Sequence, residues 1–215
     1  MSKKRVIIFS NGRIGDVNFY RKIIKKNDLI ICADGGLKFA KKLGLKPDAL
    51  IGDFDSLKEK EILEAERRGA RILKFTPEKD KTDTQLALEY AISSGAKEII
   101  MLGSLGGRID HLLANLHLLK LGTEKGVEIR VVDENNEIRL IDSAITFKTK
   151  RGETLSLLPF SDKVTGIYTE GLKYSLENGT MVSGNPYGVS NVAVSSKVRI
   201  KIRSGLLMMI RNLKL

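Results

Sequence analysis

Residues 1–132 carry a pattern that few folds satisfy: short, mostly apolar runs that do not alternate with polar residues, each separated from the next by a stretch with helical spacing. The runs fall at 6–9, 29–33, 49–51, 72–75, 99–102 and 129–132. The spacing between them predicts helices over 17–26, 37–43, 58–68, 82–94 and 111–121, with Gly69, Gly95 and Gly122 as the stops of the last three. Strands without polar alternation, joined by helices, imply a parallel sheet covered on both faces. The pattern changes after Asn135-Asn136, where short strands follow one another with no long helix. They are expected at 137–141, 145–150, 154–158, 163–168, 192–196, 198–202 and 206–210, separated by turn signals such as Arg151-Gly152, Asn178-Gly179 and Ser204-Gly205. The expected architecture is therefore an α/β parallel-sheet domain over residues 1–142, followed by a small antiparallel β-sandwich over 143–215.

Composition excludes several classes. The chain of 215 residues is 42% hydrophobic and 29% charged, which is globular rather than disordered usage. No apolar run approaches the ~18 residues of a membrane-spanning helix. The four apolar residues after Arg5 are too few for a secretory signal, and Cys32 alone permits no internal disulfide, so a cytoplasmic protein without a membrane segment is expected. The net charge of +11 raises the question of nucleic acid. Residues 1–50 hold 12 basic and 4 acidic side chains, whereas residues 51–150 hold 16 and 18. No run of five like charges and no interleaving of aromatic with basic residues occurs. A solvated surface that draws in a small polyanion fits better than a nucleic-acid footprint.

In an open parallel sheet, ligands bind beyond the carboxyl ends of the strands. Acidic residues recur at those ends: Asp34; Asp53 and Asp55; Asp80 and Asp83; and Asp110. In extended backbone, Asp53 and Asp55 would point the same way. Two close carboxylates repel unless a cation joins them, and hard oxygen ligands suit Mg²⁺. The alternative is a polar turn in which Asp55 caps the following helix. Asp83 follows Thr82 in a Thr-x-x-Gln capping box, so it either favours the helix dipole or joins a metal and phosphate site. The loop 103–107 leads from a strand into a helix, a context for phosphate binding through backbone N–H groups. It matches neither the dinucleotide fingerprint nor the Walker A loop. Arg108 can clamp a phosphate; Asp110 either simply caps the helix or joins the site; His111 beside it is a site candidate, and His117 in the Leu-rich helix is structural. Tyr174 and Tyr187 either stack on a ligand ring or anchor loops.

The ordered set Cys32-Ala33-Asp34-Gly35-Gly36, residues 47–56 (PDALIGDFDS), Lys81-Thr82-Asp83 and residues 103–111 (GSLGGRIDH) resembles the thiamine pyrophosphokinase family. Gly171-Leu172-Lys173-Tyr174 and Ser190-Asn191 resemble its C-terminal motifs. The resemblance implies an N-terminal α/β domain with a C-terminal β-sandwich, and a homodimer with sites at the subunit interface. It implies transfer of the pyrophosphoryl group of ATP to thiamine, giving thiamine diphosphate and AMP, with Mg²⁺. On that reading Asp53, Asp55 and Asp83 serve the metal and the chemistry. Asp34, Gly35, Ser56, Lys81, Gly106, Arg108, Asp110 and His111 serve ATP, and Lys79, Tyr174, Ser190 and Asn191 serve thiamine. The chain departs from the family in having Tyr174 where Trp is frequent, and Lys79 where some members have Gln.

Two other functions share part of this pattern. A pyrophosphokinase acting on another alcohol, such as a pterin, would keep the metal site and change the acceptor pocket. A non-catalytic nucleotide- or nucleic-acid-binding module would use the basic surface, but uncompensated carboxylates at the strand ends repel a polyphosphate.

Overall fold

The structure is a computed structural model that describes residues 4–78 and 80–213. The chain divides into two compact units, residues 1–134 and 135–215.

In the first unit six strands, β1 (Arg5–Phe9), β2 (Leu29–Ala33), β3 (Ala49–Gly52), β4 (Arg71–Lys74), β5 (Glu98–Leu102) and β6 (Glu128–Val132), pair in the order β6-β5-β1-β2-β3-β4. Every pairing is parallel. Helices α1 (Val17–Ile23), α2 (Leu37–Lys42), α3 (Glu59–Arg67), α4 (Asp83–Ser93) and α5 (Ile109–Lys125) make the connections. Val6, Ile7, Ile8 and Phe9 of β1 and Ile99, Ile100, Met101 and Leu102 of β5 are fully buried, as strands covered on both faces must be. The chain steps outward from β1 through β2 and β3 to β4, then returns to the other side of β1 as β5. The order therefore reverses between β1 and β5, and that reversal opens a crevice beyond their carboxyl ends.

Local details differ from expectation at three helices. Gly122 does not stop α5; it is a buried residue inside the helix, and Gly126, with φ +64°, is the stop. Asp110 is not the cap of α5, which is Arg108; it sits in the first turn. Asp55 does not cap α3 either: Lys58 is the cap, and its N–H donates to Glu61 Oε2 at 3.0 Å. Thr82 does cap α4, its hydroxyl accepting from Gln85 N at 3.1 Å, while the Gln85 amide donates to Glu89.

The second unit holds two four-stranded antiparallel sheets, a β-sandwich. One contains β7 (Asn136–Ile141), β9 (Thr154–Pro159), β12 (Asn191–Val192) and β14 (Leu207–Asn212) in the order β12-β9-β14-β7. The other contains β8 (Ala144–Lys148), β10 (Lys163–Glu170), β11 (Gly179–Val182) and β13 (Lys197–Lys201) in the order β11-β10-β13-β8. Leu155, Leu157, Leu207 and Met209 from the first sheet share one core with Val164, Ile167, Val198 and Ile200 from the second. Lys197–Lys201 buries every second residue, the alternation its basic and apolar residues predict. β7 pairs with β14 along its length and so belongs with this unit.

Candidate active site

Beyond the strand ends of the first unit lies a cavity of about 770 Å³, within the range of small-molecule sites. Its lining comes from segments that follow β1 (Ser10 to Arg13), β2 (Asp34), β3 (Asp53, Asp55), β4 (Lys81 to Thr84) and β5 (Gly103 to Arg108).

Asp34 opens a 3-10 turn at φ +43° and is buried. Ser56 Oγ donates to its Oδ2 at 2.7 Å, while its Oδ1 is buried without a hydrogen-bond partner among the described residues. Asp53 and Asp55 lie past the end of β3, and the backbone joining them is not extended: Phe54, with its side chain buried, has φ +66°. The Asp55 N–H donates to Asp53 Oδ1 at 3.3 Å. This tight turn, rather than strand periodicity, brings the carboxylates together. Asp34, Asp53 and Asp55 each offer an oxygen, and the three lie within 4.8 Å of one another. Asp83 approaches from the start of α4. Gly52, at φ +152°, separates it from Asp34; a methyl group there would lie 3.2 Å from Asp34 Cβ and 3.2 Å from Asp83 Cγ, so the close approach needs glycine. An orphaned buried carboxylate oxygen beside two further carboxylates, all hard donors, fits a divalent cation of the Mg²⁺ kind.

The Gly-rich loop after β5 is locked to the loop after β1. Gly12 N donates to Gly103 O at 2.8 Å, and any side chain at Gly12 would strike that same carbonyl. Ser10, Ser104 and Thr84 are joined through their hydroxyls at 3.1 Å each, and buried Asn115 donates to Ser104 O at 2.9 Å. Gly106 and His111 also line the cavity, and Gly35 packs against the Asn11 amide. Arg108 reaches Asp110 with two hydrogen bonds, at 2.5 and 3.2 Å. That pairing holds the Asp110 carboxyl down at about 2 and raises the guanidinium still further. Lys81 pairs with Glu89 at 2.8 Å.

The residues expected on the thiamine side fall in the second unit, except Lys79, which lies outside the described residues. Tyr174 is 63% exposed, with Lys173 Nζ 5.5 Å from its ring centre. Its main chain is held at both ends by the buried Asn191 amide: Tyr174 N donates to Asn191 Oδ1 at 3.0 Å, and Asn191 Nδ2 donates to Tyr174 O at 2.7 Å. Ser190 has φ +61°, and its N–H donates to Ser156 Oγ. Tyr187 donates to Thr180 O at 2.6 Å and anchors its loop. His117 is exposed on α5 rather than packed in the core.

Sequence reasoning overlooked Ser10, Asn11, Arg13, Thr84 and Asn115. The segment after β1 carries no acidic residue, so the search for strand-end carboxylates passed over it. The carboxyl end of the strand itself was the available signal.

A family model described as the catalytic domain of thiamin pyrophosphokinase matches residues 20–131, and one described as its vitamin B1 binding domain matches residues 142–207. The chain belongs to the thiamin pyrophosphokinase family. The first match lies within the α/β unit and the second within the β-sandwich. The thiamine pyrophosphokinase of Bacillus subtilis (strain 168) is 31% identical over 190 residues, covering 87% of this chain and 88% of that protein. A crystal structure of the thiamine pyrophosphokinase from Bacillus subtilis superimposes with a TM-score of 0.88 at 29% identity, over 99% of this chain and 100% of that one. One from Geobacillus thermodenitrificans gives 0.84 at 28% identity, over 97% of each chain. Thiamin pyrophosphokinase architecture thus accounts for both units.

Proposed function

We propose that this member of the family transfers the pyrophosphoryl group of ATP to the hydroxyl of thiamine, releasing AMP. The observation that carries this reading is the convergence of Asp34, Asp53 and Asp55 at the sheet's switch point, facing the locked Gly-rich loop across one cavity. Carboxylates alone would repel a triphosphate. Mg²⁺ held by Asp34, Asp53 and Asp55, with Asp83 alongside, would supply the charge neutralisation that makes phosphate binding favourable there.

The chain's own groups do the rest. Backbone N–H groups of the loop 103–107 face the phosphates, and Gly35, Ser56, Lys81, Arg108, Asp110 and His111 complete the ATP side. The thiamine hydroxyl oxygen attacks the β-phosphorus, the bond from that phosphorus to the α-phosphate oxygen breaks, and AMP leaves. A carboxylate of the acidic group takes the hydroxyl proton. Most of the rate enhancement in such transfers comes from positioning and electrostatics, which a rigid pair of interlocked loops favours. On the vitamin side, the exposed Tyr174 ring, its main chain held by Asn191, offers a stacking face, and Ser190 and Lys79 are the further contacts that the family resemblance assigns. The second unit exposes Tyr174, Tyr187, Val189 and Val194, side chains of the kind an interface covers, and the homodimer with sites at the subunit interface is the assembly the family resemblance implies. No helix among the described residues is long and apolar enough to cross a membrane, and the single buried thiol suits the reducing cytoplasm.

The test is product identity. Incubation with ATP, Mg²⁺ and thiamine is expected to yield AMP in step with thiamine diphosphate; ADP as the nucleotide product overturns the reading. Asp53→Asn is expected to lose at least about a hundredfold in kcat with an unchanged circular dichroism spectrum. Full activity of that variant removes Asp53 from the chemistry.

A further inference from the structure

Among the described residues, three strongly basic side chains line the cavity: Arg13, Lys81 and Arg108. Two of them are already engaged by carboxylates, Lys81 by Glu89 and Arg108 by Asp110. Arg13 makes no hydrogen bond or ion pair with any described residue. Its guanidinium lies beside the Gly-rich loop: a methyl group on Gly107 would stand 3.6 Å from Nη2, 3.9 Å from Cζ and 4.0 Å from Nε. A planar fork of donors, uncommitted and facing the space beside a phosphate loop, is arranged to grip a phosphate in two places.

The chain on both sides of Arg13 is pinned. Gly12 is tied to Gly103 as described. After Arg13, the N–H groups of Gly15 and Asp16 both donate to Glu134 Oε1, at 2.6 and 2.7 Å. The buried Tyr20 hydroxyl donates to Glu134 Oε2 at 2.9 Å. Burial works to raise the pKa of Glu134, but these hydrogen bonds hold it below the usual carboxylate range, so the brace is an anion at neutral pH. One carboxylate at the end of the first unit thus fixes a loop 118 residues earlier in the chain.

We propose that Arg13 is a binding residue for a phosphate group of the nucleotide, and that Glu134 is its positioning residue, acting through Gly15 and Asp16. The proposal rests on the reading of the cavity as the ATP site. It adds a nucleotide contact from the strand that carries no acidic residue, and it assigns the phosphate grip to the one lining cation, among the described residues, that has no carboxylate to leave.

The test is equilibrium binding of α,β-methylene-ATP with Mg²⁺, together with steady-state AMP formation. Arg13→Ala is expected to weaken analogue binding by about tenfold or more, the size of a charge-assisted hydrogen bond to phosphate, with the KM for thiamine within twofold. Arg13→Lys, which keeps the charge and loses the fork, is expected to fall between the two. Glu134→Gln and the milder Tyr20→Phe are expected to weaken analogue binding in the wild-type background and to add nothing in the Arg13→Ala background, because their effect passes through Arg13. Analogue binding by Arg13→Ala within twofold of wild type overturns the Arg13 assignment, and additive losses overturn the role of Glu134. Arg13-dependent binding without thiamine diphosphate formation would sink the proposed reaction and leave this inference standing. Absence of nucleotide binding by the wild-type protein would sink both.

Discussion

Cys32 stands two residues before Asp34 and is wholly buried. Burial pushes its thiol far above the ordinary range, and the nearby charge of Asp48 adds to this. The unfolded chain ionises this thiol near pH 8.5, the folded chain only well above that. The contribution to stability is therefore complete below about pH 8.5 and is lost as pH rises beyond it, by about 1.4 kcal/mol per unit. Tyr20, raised by burial and by its bond to Glu134, acts in the same direction above about pH 10. Denaturant titrations from pH 8 to 10 are expected to show a declining stability whose slope is shallower in Cys32→Ala; an identical slope would mean that the thiol ionises freely in the fold. Asp34, Asp53 and Asp55 could be picked out from the sequence because each sits where an apolar run ends, next to glycine or in an Asp-x-Asp spacing. Their partners could not. That Ser56 bonds to Asp34, or that Asp110 occupies Arg108, depends on χ angles and loop courses that no local spacing encodes.

Helix ends were less legible than helices. Gly122 inside α5 and Gly126 at its end are the same residue type four positions apart, and only tertiary contact separates their roles. Gly122 lies where a methyl group would meet Val127 O at 2.6 Å and Ile129 Cγ1 at 2.8 Å, so it is there to let β6 approach the helix. Gly126 has open space around its Cα and a left-handed φ of +64°. Gly122→Ala is expected to destabilise the protein by about 1–3 kcal/mol through overpacking, although alanine is the better helix former. Gly126→Ala should cost about 1 kcal/mol through backbone strain alone. Thermal melts of the two variants check the pair, and a stabilised Gly122→Ala would show that helix propensity outweighs the contact. Similarly, the Thr-x-x-Gln spacing at Thr82 located the start of α4 correctly, yet only half of the box forms because Gln85 turns to Glu89.

At the scale of the whole chain, the two-part architecture followed from the change of periodicity near Asn135, because burial on both faces and burial on one face leave different residue patterns. Strand order did not follow, since nothing in an apolar run specifies its neighbours, and with it went the place of the crevice between β1 and β5. The positive excess lies outside residues 51–150, which hold most of the acidic group. A metal that binds those carboxylates stabilises the folded chain by mass action, by about 2.7 kcal/mol at a hundredfold excess over Kd. Mg²⁺ without nucleotide is expected to raise the melting temperature of the wild-type protein by several degrees and that of Asp53→Asn by much less. An equal rise in both would place the ion elsewhere.

The central position of β1 also bears on how the chain is made. Its apolar segment Val6-Ile7-Ile8-Phe9 leaves the ribosome before the other strands of this sheet, and one of its two flanking strands, β5, is not synthesised until residues 10–97 have been added. At about 5–20 residues per second, that leaves roughly 5–20 s in which a bare β-forming edge has no partner on one side. The basic residues Lys3, Lys4 and Arg5 directly before it are the kind of flanking charge that keeps such a segment from pairing with another nascent chain while it waits.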